Sequence, residues 1–329
     1  MGAFLVRRLI HLVGVLVAVL IVVSILLRLI PGDPVSAIMA GNPQITEEDK
    51  DRLREQLGLS DPIPTQIADY ALGLVQGDLG DSLRTRANAR PLILEKLPPT
   101  FELTIFAMVV AIIIALPLGV LTAVQRDRPL DYAGSVIAVL GISIPSFVLG
   151  ILLILIFAVH WHVLPTSGYG GSVTSGVKAI VTDGDFGPLG QSFRYLILPG
   201  VTLGVALAAY NARVIRSAMI EVLQQDYIRC ARAKGLRSRQ VHFRHALRNA
   251  LIPVVTILGL QIGYLLSGAF IIENVFAWPG IGRFSVQAIG WRDYPVIQGV
   301  VMVTALLFLT INLLVDLSGS RFDPRIRVR

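Results

Sequence analysis

The chain has 329 residues, of which 54% are hydrophobic and 16% are charged, and its mean hydropathy is +0.69. This composition is typical of helical membrane proteins rather than soluble domains. Its net charge of +7 would suit nucleic-acid binding, but the basic residues lie at the borders of apolar segments without an aromatic-basic platform, which argues against that class. The single cysteine, Cys230, excludes an internal disulfide framework, and the sequence has no phosphate-binding loop for ATP.

Residues 1–30 predict an N-terminal membrane helix that is not a cleaved signal. Arg7 and Arg8 precede an apolar run from Leu9 to Leu27, which is long enough to span a bilayer. The run is longer than a signal-peptide core, and it lacks a small-residue cleavage site. Arg28 at its far end is expected to extend its guanidinium towards the interface.

Residues 31–100 predict a polar insert. Pro31 to Pro34 ends the first helix, and the string from Thr46 to Asp49 predicts a capped helix that stops at Gly58. A second amphipathic helix is expected over residues 64–75. The insert carries eleven acidic against seven basic residues, so we expect it to lie outside the cell, away from the anionic inner lipid.

Five further apolar segments follow, at residues 103–124, 134–159, 196–215, 251–272 and 296–317. With the first helix they predict an all-α membrane protein of six transmembrane helices, with the extracytoplasmic insert between helices 1 and 2. Residues 101–320 would form a five-helix core and residues 321–329 a C-terminal tail. Pro117 and Pro145 are expected to lie inside their helices, where neighbours can satisfy the carbonyls that proline leaves unbonded.

The distribution of arginine and lysine predicts the orientation. With the N-terminus inside, the inner segments carry seventeen basic residues and the two short outer loops carry four. Because short cytoplasmic loops are enriched in basic residues, both termini and the loop at 219–249 are predicted to be cytoplasmic.

The predicted spans hold no charged or histidine residue near the middle of the membrane; Glu102 and Asp316 lie at span ends. Proton- or sodium-coupled carriers usually need such groups. This favours a permease that is driven by a separate ATPase over the rival interpretation, a self-sufficient secondary carrier or channel. His160 and His162 lie close in sequence but lack a third ligand, so no metal site is predicted.

Small residues recur every four positions on two spans. Gly200, Gly204 and Ala208 share one face of the fourth span, and Gly259, Gly263 and Ser267 share one face of the fifth. Small faces let helices approach closely, so these faces are predicted packing seams, either within the chain or between subunits.

The stretch from Asp226 to Pro253 is rich in arginine and contains apolar residues at helical spacing, with Gly235 near its middle. This pattern predicts two short amphipathic helices joined at the glycine. The stretch could be a cationic loop on anionic lipid headgroups, or its interleaved apolar residues could dock into a groove on a partner protein.

The spacing in this stretch resembles the cytoplasmic coupling loop of ABC importer permeases. Ala231 and Gly235 fit the family pattern, whereas Arg229 stands where that pattern has glutamate and residues 245–248 replace its closing Ile-x-Leu-Pro. The version ARAKGL…HALRNALIPVVT resembles the dipeptide, oligopeptide and nickel permeases. The strings QLGLSDPI, GDLGDS, ENVFAWPGIGRF, WRDYP and DPRIR are also similar to that family, so the resemblance covers nearly the whole chain.

The resemblance implies a type I ABC importer permease in the inner membrane of a bacterium, forming half of the pathway for di- and oligopeptides. The implied partners are a second homologous permease subunit, two ATP-binding subunits, an extracytoplasmic solute-binding protein and membrane lipid. ATP and magnesium would be bound by the partner ATPases, and this chain would carry no cofactor and no catalytic residue. A nickel chelate or another small solute is the alternative cargo, although mildly polar side chains along the spans favour peptides.

The resemblance also assigns candidate residues. The ATPase-coupling candidates are Asp226, Tyr227, Ala231, Lys234, Gly235, Leu236, His245, Arg248 and Asn249. The strings that resemble the family give these candidates for the pathway, the outer gate or contact with the binding protein: Ser143, Pro145, Phe147, Glu273, Trp278, Pro279, Gly280, Arg292 and Asp293. The mildly polar side chains along the spans add Asn211 and Gln261 as pathway candidates. Trp278 is also expected to anchor at the outer membrane interface.

Overall fold

The computed structural model of the chain describes residues 2–29, 35, 46–56 and 60–322. Within these residues the regular secondary structure is helical, apart from an isolated β-bridge between Asp81 and Asn88. The predicted turn at 31–34, the helix stop at Gly58 and all of the tail beyond residue 322 lie outside the described residues.

Fourteen helices follow one another in the described ranges. They are α1 (Gly2–Leu29), α2 (Glu47–Gln56), α3 (Ile63–Val75), α4 (Ala89–Leu94), α5 (Leu97–Val124), α6 (Pro129–Ser143), α7 (Ser146–His160), α8 (Val173–Asp183), α9 (Gly187–Leu223), α10 (Asp226–Ala233), α11 (Ser238–Leu266), α12 (Phe270–Val275), α13 (Ile281–Trp291) and α14 (Tyr294–Phe322). Two of them contain π-helical stretches, Ile154–His160 in α7 and Val241–Ala246 in α11.

The two helices predicted in the insert are present. At the start of α2, the Thr46 N–H donates to the Asp49 carboxylate at 3.1 Å and the Asp49 N–H donates to the Thr46 hydroxyl at 3.3 Å. This reciprocal pair is the predicted capping box, with aspartate in the place of glutamate. The next helix, α3, ends at the expected Val75.

Five described helical segments are long and apolar enough to cross a membrane: Val6–Leu29, Ala89–Val124, Gly187–Leu223, Ser238–Leu266 and Tyr294–Val315. The second of these segments consists of α4 and α5 together. The pair α6 and α7 provides a sixth span if its two helices are counted together. The count of six is therefore confirmed with the bent pair taken as one span.

The third span is not the continuous helix that was predicted over 134–159. The axes of α6 and α7 meet at an angle of 96°, because Ile144 is extended (φ −81°, ψ 120°) and Pro145 precedes the first turn of α7. A residue before proline is sterically disfavoured from the helical region, which ends α6. Pro117, in contrast, lies inside α5 as expected.

The fifth span also differs from its predicted bounds of 251–272, since α11 begins at Ser238 and ends at Leu266. Gly268 has a φ of +108°, and a Cβ built there would lie 2.8 Å from the Cα of Gly282. The left-handed backbone and this close approach both require glycine, and they separate α11 from α12.

Two compact units can be distinguished by their internal contacts. The first comprises Met1–Thr100, Leu266–Phe270 and Pro279–Thr310. Its core joins the end of α1, the helix α4 and the beginnings of α13 and α14, through residues that include Leu27, Ile93, Ile281 and Val296.

The second unit comprises Phe101–Leu265, Ile271–Trp278 and Ile311–Arg329. The glycines and the alanine of the predicted small faces lie in it, whereas Ser267 belongs to the first unit. A Cβ on Gly200 would lie 2.2 Å from the ring of Phe106, and a Cβ on Gly259 would lie 2.2 Å from Val315. At these two positions the seams are therefore within the chain.

Candidate functional site

The helix α10 is amphipathic, and its apolar face is buried inside its own chain. Ile228 is fully buried and Ala231 is 8% exposed, one turn further along the helix. Both belong to one hydrophobic core with Ile215 and Met219 of α9, and α5 and α11 contribute to the same core. Since apolar burial is the dominant attraction between helices, α10 is held firmly on this surface.

This burial removes part of the interleaved apolar residues from the surface that a partner could contact. Besides the two on α10, Val241 and Ala246 of α11 are fully buried in the chain's own core. Six of the side chains that remain exposed form what we call the coupling face: Tyr227, Arg229, Arg232, Lys234, Leu236 and Phe243. Three are basic and three are apolar or aromatic, so this face can offer both charge and hydrophobic contact.

Gly235 ends α10 as the sequence predicts. Its φ is +78°, and its N–H donates to the Arg232 carbonyl at 2.9 Å. A Cβ at this position would meet nothing within 4 Å, so the requirement for glycine comes from the backbone alone. The second short helix that was predicted is not separate; it is the first part of α11, including the π-helical stretch.

Three coupling candidates are brought together where α10 lies beside α11. The Asn249 amide donates to the Tyr227 hydroxyl at 2.7 Å and to the His245 carbonyl at 3.3 Å. Asp226, Lys234 and Arg248 are exposed. Asp226 lies 3.5 Å from Arg229, but both side chains face solvent and such a pair contributes little to stability.

The pathway candidates Asn211 and Gln261 are bonded to each other. The Asn211 amide donates to the Gln261 oxygen at 2.9 Å, and the Gln261 amide donates back at 3.1 Å. This reciprocal pair joins α9 to α11, and Asn211 is 1% exposed. In this conformation the two amides therefore act as a tie between helices.

The candidates Ser143, Pro145 and Phe147 lie at the bend between α6 and α7, and all three are exposed. The Ser143 hydroxyl donates to the Val139 carbonyl at 2.9 Å within α6. The bend thus presents a proline and an aromatic ring on the surface of the isolated chain.

Trp278 is buried in the protein and is not an interfacial anchor. It is 1% exposed, its backbone N–H donates to the Glu273 carbonyl at 2.8 Å, and its ring meets Tyr169 edge-on at 4.8 Å. Glu273 is also fully buried. Neither side chain is available for contact with a binding protein in this conformation.

The remaining gate candidates lie in the first unit. Pro279 is partly buried, Gly280 is buried directly before α13, and the Ile281 N–H that follows donates to the Thr100 hydroxyl at 2.9 Å. Arg292 ends α13 with a φ of +54°.

Asp293 is 1% exposed and bonds to the insert, accepting from the Leu83 N–H at 3.0 Å and from the Ser82 hydroxyl. Arg84 lies over the ring of Trp291 at 4.0 Å. Asp293 therefore fixes a turn of the insert rather than facing a ligand.

Two polar clusters were not expected from the sequence. The Glu102 carboxylate accepts from the Ser172 hydroxyl at 2.8 Å, the Val173 N–H at 2.9 Å and the Tyr169 hydroxyl at 3.1 Å. Burial, and then the charge of Glu102, raises the pKa of Tyr169.

The other cluster is a bidentate ion pair between Asp131 and Arg216. The sequence shows that Glu102 and Asp131 are charged, but it does not identify the distant side chains that bond to them.

The two histidines that are close in sequence lie at the end of α7 and just beyond it. His160 and His162 are both exposed. In the part of the chain that the structure describes, no three histidine, cysteine, aspartate or glutamate side chains are grouped as metal ligands.

Comparison with known proteins agrees with this architecture. Residues 115–328 match the family of binding-protein-dependent transport system inner membrane components, and residues 1–104 match the N-terminal segment of such components. The chain is 43% identical to the dipeptide transport system permease protein DppB of Alkalihalophilus pseudofirmus, over 99% of this chain and 100% of the relative. It is 40% identical to the glutathione transport system permease protein GsiC of Pectobacterium atrosepticum, over 99% of each chain.

A solved structure shares the fold of the permease region. A chain of the MetNI methionine ABC transporter, in an inward-facing conformation, aligns with a TM-score of 0.52 at 23% identity. The alignment covers 71% of this chain and 96% of that one. The full-length identities, the family match and the apolar helices lead to one conclusion: this chain belongs to the family of binding-protein-dependent transport system inner membrane components, as a multi-pass permease of the inner membrane.

Proposed function

We propose that this chain forms half of the translocation pathway of an ATP-driven importer of short peptides. The proposal rests on how α10 packs: its apolar face is buried in the chain's own core, and its basic face is exposed. A helix fixed in this way can receive a push from a partner and pass it into the spans, which a loosely attached lipid-binding loop cannot do.

The cargo is inferred from the relatives. Their names refer to dipeptides and to glutathione, itself a tripeptide, and the identity extends over the whole chain in both cases. Ser143 is exposed at the bend, and its hydroxyl oxygen can accept a hydrogen bond from a peptide backbone.

In this proposal the coupling face lies in the cytoplasm against two ATP-binding subunits, which hold the ATP and magnesium. A second permease subunit completes the pathway, and an extracytoplasmic binding protein delivers the peptide. Both termini are cytoplasmic, and this chain itself needs no cofactor. ATP-driven closure of the ATPases would move α10 about Gly235 and shift the spans between inward- and outward-open arrangements.

Competition in proteoliposomes tests the cargo. The complete transporter, with its own binding protein, would import a labelled dipeptide in the presence of ATP. We expect a mixture of di- to pentapeptides to inhibit this uptake and nickel chelates to leave it unchanged. Import that is inhibited by nickel chelates and not by peptides would contradict the peptide assignment.

A second arm tests the energy source. The purified chain alone is expected neither to hydrolyse ATP nor to move peptide along a proton gradient. Proton-driven uptake by the isolated chain would make it a secondary carrier.

A further inference from the structure

The buried carboxylate of Asp131, in the first turn of α6, forms an ion pair with the partly exposed Arg216 in the C-terminal half of α9. The Arg216 Nε and Nη2 atoms each lie 2.7 Å from a different oxygen of the Asp131 carboxylate. The Asp131 side chain is 4% exposed, and it also accepts from the Asp127 N–H at 3.1 Å. Two parallel charge-assisted bonds fix both distance and orientation, so α6 is joined to α9 in a defined geometry.

The same few turns of α9 also support α10. Ile215 precedes Arg216 directly, Met219 follows it by one turn, and both share a buried core with Ile228 of α10. Around the helix axis Arg216 is rotated by about 100° from Ile215 and by about 60° from Met219, so the ion pair lies beside the apolar contact on neighbouring turns of α9. α9 therefore holds the coupling helix by apolar contact and α6 by the ion pair.

At its other end α6 leads to the bend in the third span. The helix runs from Pro129 to Ser143 and is about 22 Å long at 1.5 Å per residue. Beyond Ser143 the chain bends by 96°, and Phe147 is exposed just after the bend. A displacement applied at Asp131 would thus reach the candidate pathway residues along a single rigid helix.

We propose that the Asp131–Arg216 pair is the link through which movement of α10 reaches α6 and the bend. Both are positioning residues, because neither belongs to the coupling face or to the pathway candidates. The proposal rests on the proposed function, since it requires that α10 receives a push from an ATPase. Ion pairs contribute little net stability, whether they are buried or exposed to solvent, so stability alone gives little reason for a charged pair here.

The test measures peptide molecules imported per ATP hydrolysed by the complete transporter in proteoliposomes. Arg216→Lys keeps the charge but loses the paired geometry, and Asp131→Asn keeps the shape but loses the charge. In each variant we expect transport per ATP to fall at least about fivefold, while ATP hydrolysis stays within about twofold of the unmodified complex. The double variant should lose no more than the worse single variant, because either change alone breaks the link.

Matched controls are available on α9. Arg213→Lys changes an exposed arginine one turn before Arg216, and Glu221→Gln changes an exposed carboxylate further along the helix. Both should keep the ratio of transport to ATP hydrolysis. Thermal unfolding of each purified complex shows whether assembly has been preserved.

An unchanged ratio of peptide import to ATP hydrolysis in Arg216→Lys would overturn the proposal. The pair would then only fix α6 to α9. A parallel loss of complex, hydrolysis and transport in both single variants would overturn it as well, because the pair would then serve folding alone. An unmodified complex that hydrolyses ATP but imports no peptide would instead contradict the proposed function. Peptide import by the unmodified complex is therefore measured before any variant.

Discussion

The carboxylate of Asp293 accepts a hydrogen bond from the backbone N–H of Leu83, a residue 210 positions earlier in the chain, at 3.0 Å. The strings GDLGDS and WRDYP, which were each similar to the permease family, therefore lie side by side. Gly80 reinforces the contact, since its φ is +77° and a Cβ there would lie 3.2 Å from the Pro295 side chain. The two strings form one structural element, a turn of the insert fixed to the start of α14.

Asp293→Asn is expected to destabilise this element. The substitution removes the negative charge from a buried carboxylate that accepts bonds from Leu83 and Ser82, and hydrogen bonds to charged groups contribute about 1.5–3 kcal/mol each. The melting temperature of the purified complex would report the loss. Asp81→Asn, at an exposed carboxylate in the same turn, is the control. Equal melting temperatures for the two variants would mean that the Asp293 bonds contribute nothing.

Gly235→Val is expected to uncouple ATP hydrolysis from transport. A non-glycine residue in the left-handed conformation costs roughly 1–2 kcal/mol, and a β-branched residue costs more. Gly235→Asn is the matched control, because asparagine tolerates positive φ and the site has room for a side chain. Reversal of Arg232 and Lys234 to glutamate should uncouple the transporter in the same way. Normal transport by both the valine and the charge-reversed variants would leave this segment as a lipid-facing loop.

Cys230 provides a test of orientation because it is the sole cysteine of the sequence and is exposed on α10. A membrane-impermeant maleimide should label it in inside-out vesicles and after permeabilisation, and not in intact spheroplasts. In a Cys230→Ser background, Asp81→Cys should show the opposite pattern, since it lies in the insert. Strong labelling of Cys230 in intact spheroplasts would reverse the proposed topology.

The amide pair between Asn211 and Gln261 should stabilise the contact of α9 with α11. Interhelical hydrogen bonds in membrane proteins contribute about 0.6 kcal/mol on average and up to about 1.7 kcal/mol. Asn211→Ala and Gln261→Ala should therefore be non-additive, with the double variant less destabilised than the sum of the single variants. Unfolding in a series of detergent mixtures measures the three free energies. Strict additivity would show that the two amides do not interact.

Much of the helical architecture could be predicted from the sequence because it depends on local patterns. The apolar run at 103–124, the capping box at Thr46 and the stop at Gly235 each arise from residues within a few positions of one another. The break at Ile144 was missed although Pro145 was noted. Pro117 lies inside a helix, so a proline in an apolar span does not by itself predict a break.

The pairing of side chains could not be predicted, because it depends on how distant helices meet. Asn211 and Gln261 were both singled out as pathway residues, yet their bond to each other follows from the packing of α9 on α11. Trp278 was misplaced for the same reason. Its amphipathic ring suits a membrane interface, but the fold encloses it against Tyr169.

The bend between α6 and α7 has a consequence for hydration. The last carbonyls of one helix and the first N–H groups of the next lack partners within their own helices. In the hydrocarbon interior such groups are tolerated only where protein or water covers them. Ile144 and Pro145 are exposed on this chain, about halfway along the third span. Within the membrane, water or a neighbouring subunit must therefore cover the backbone groups at this bend.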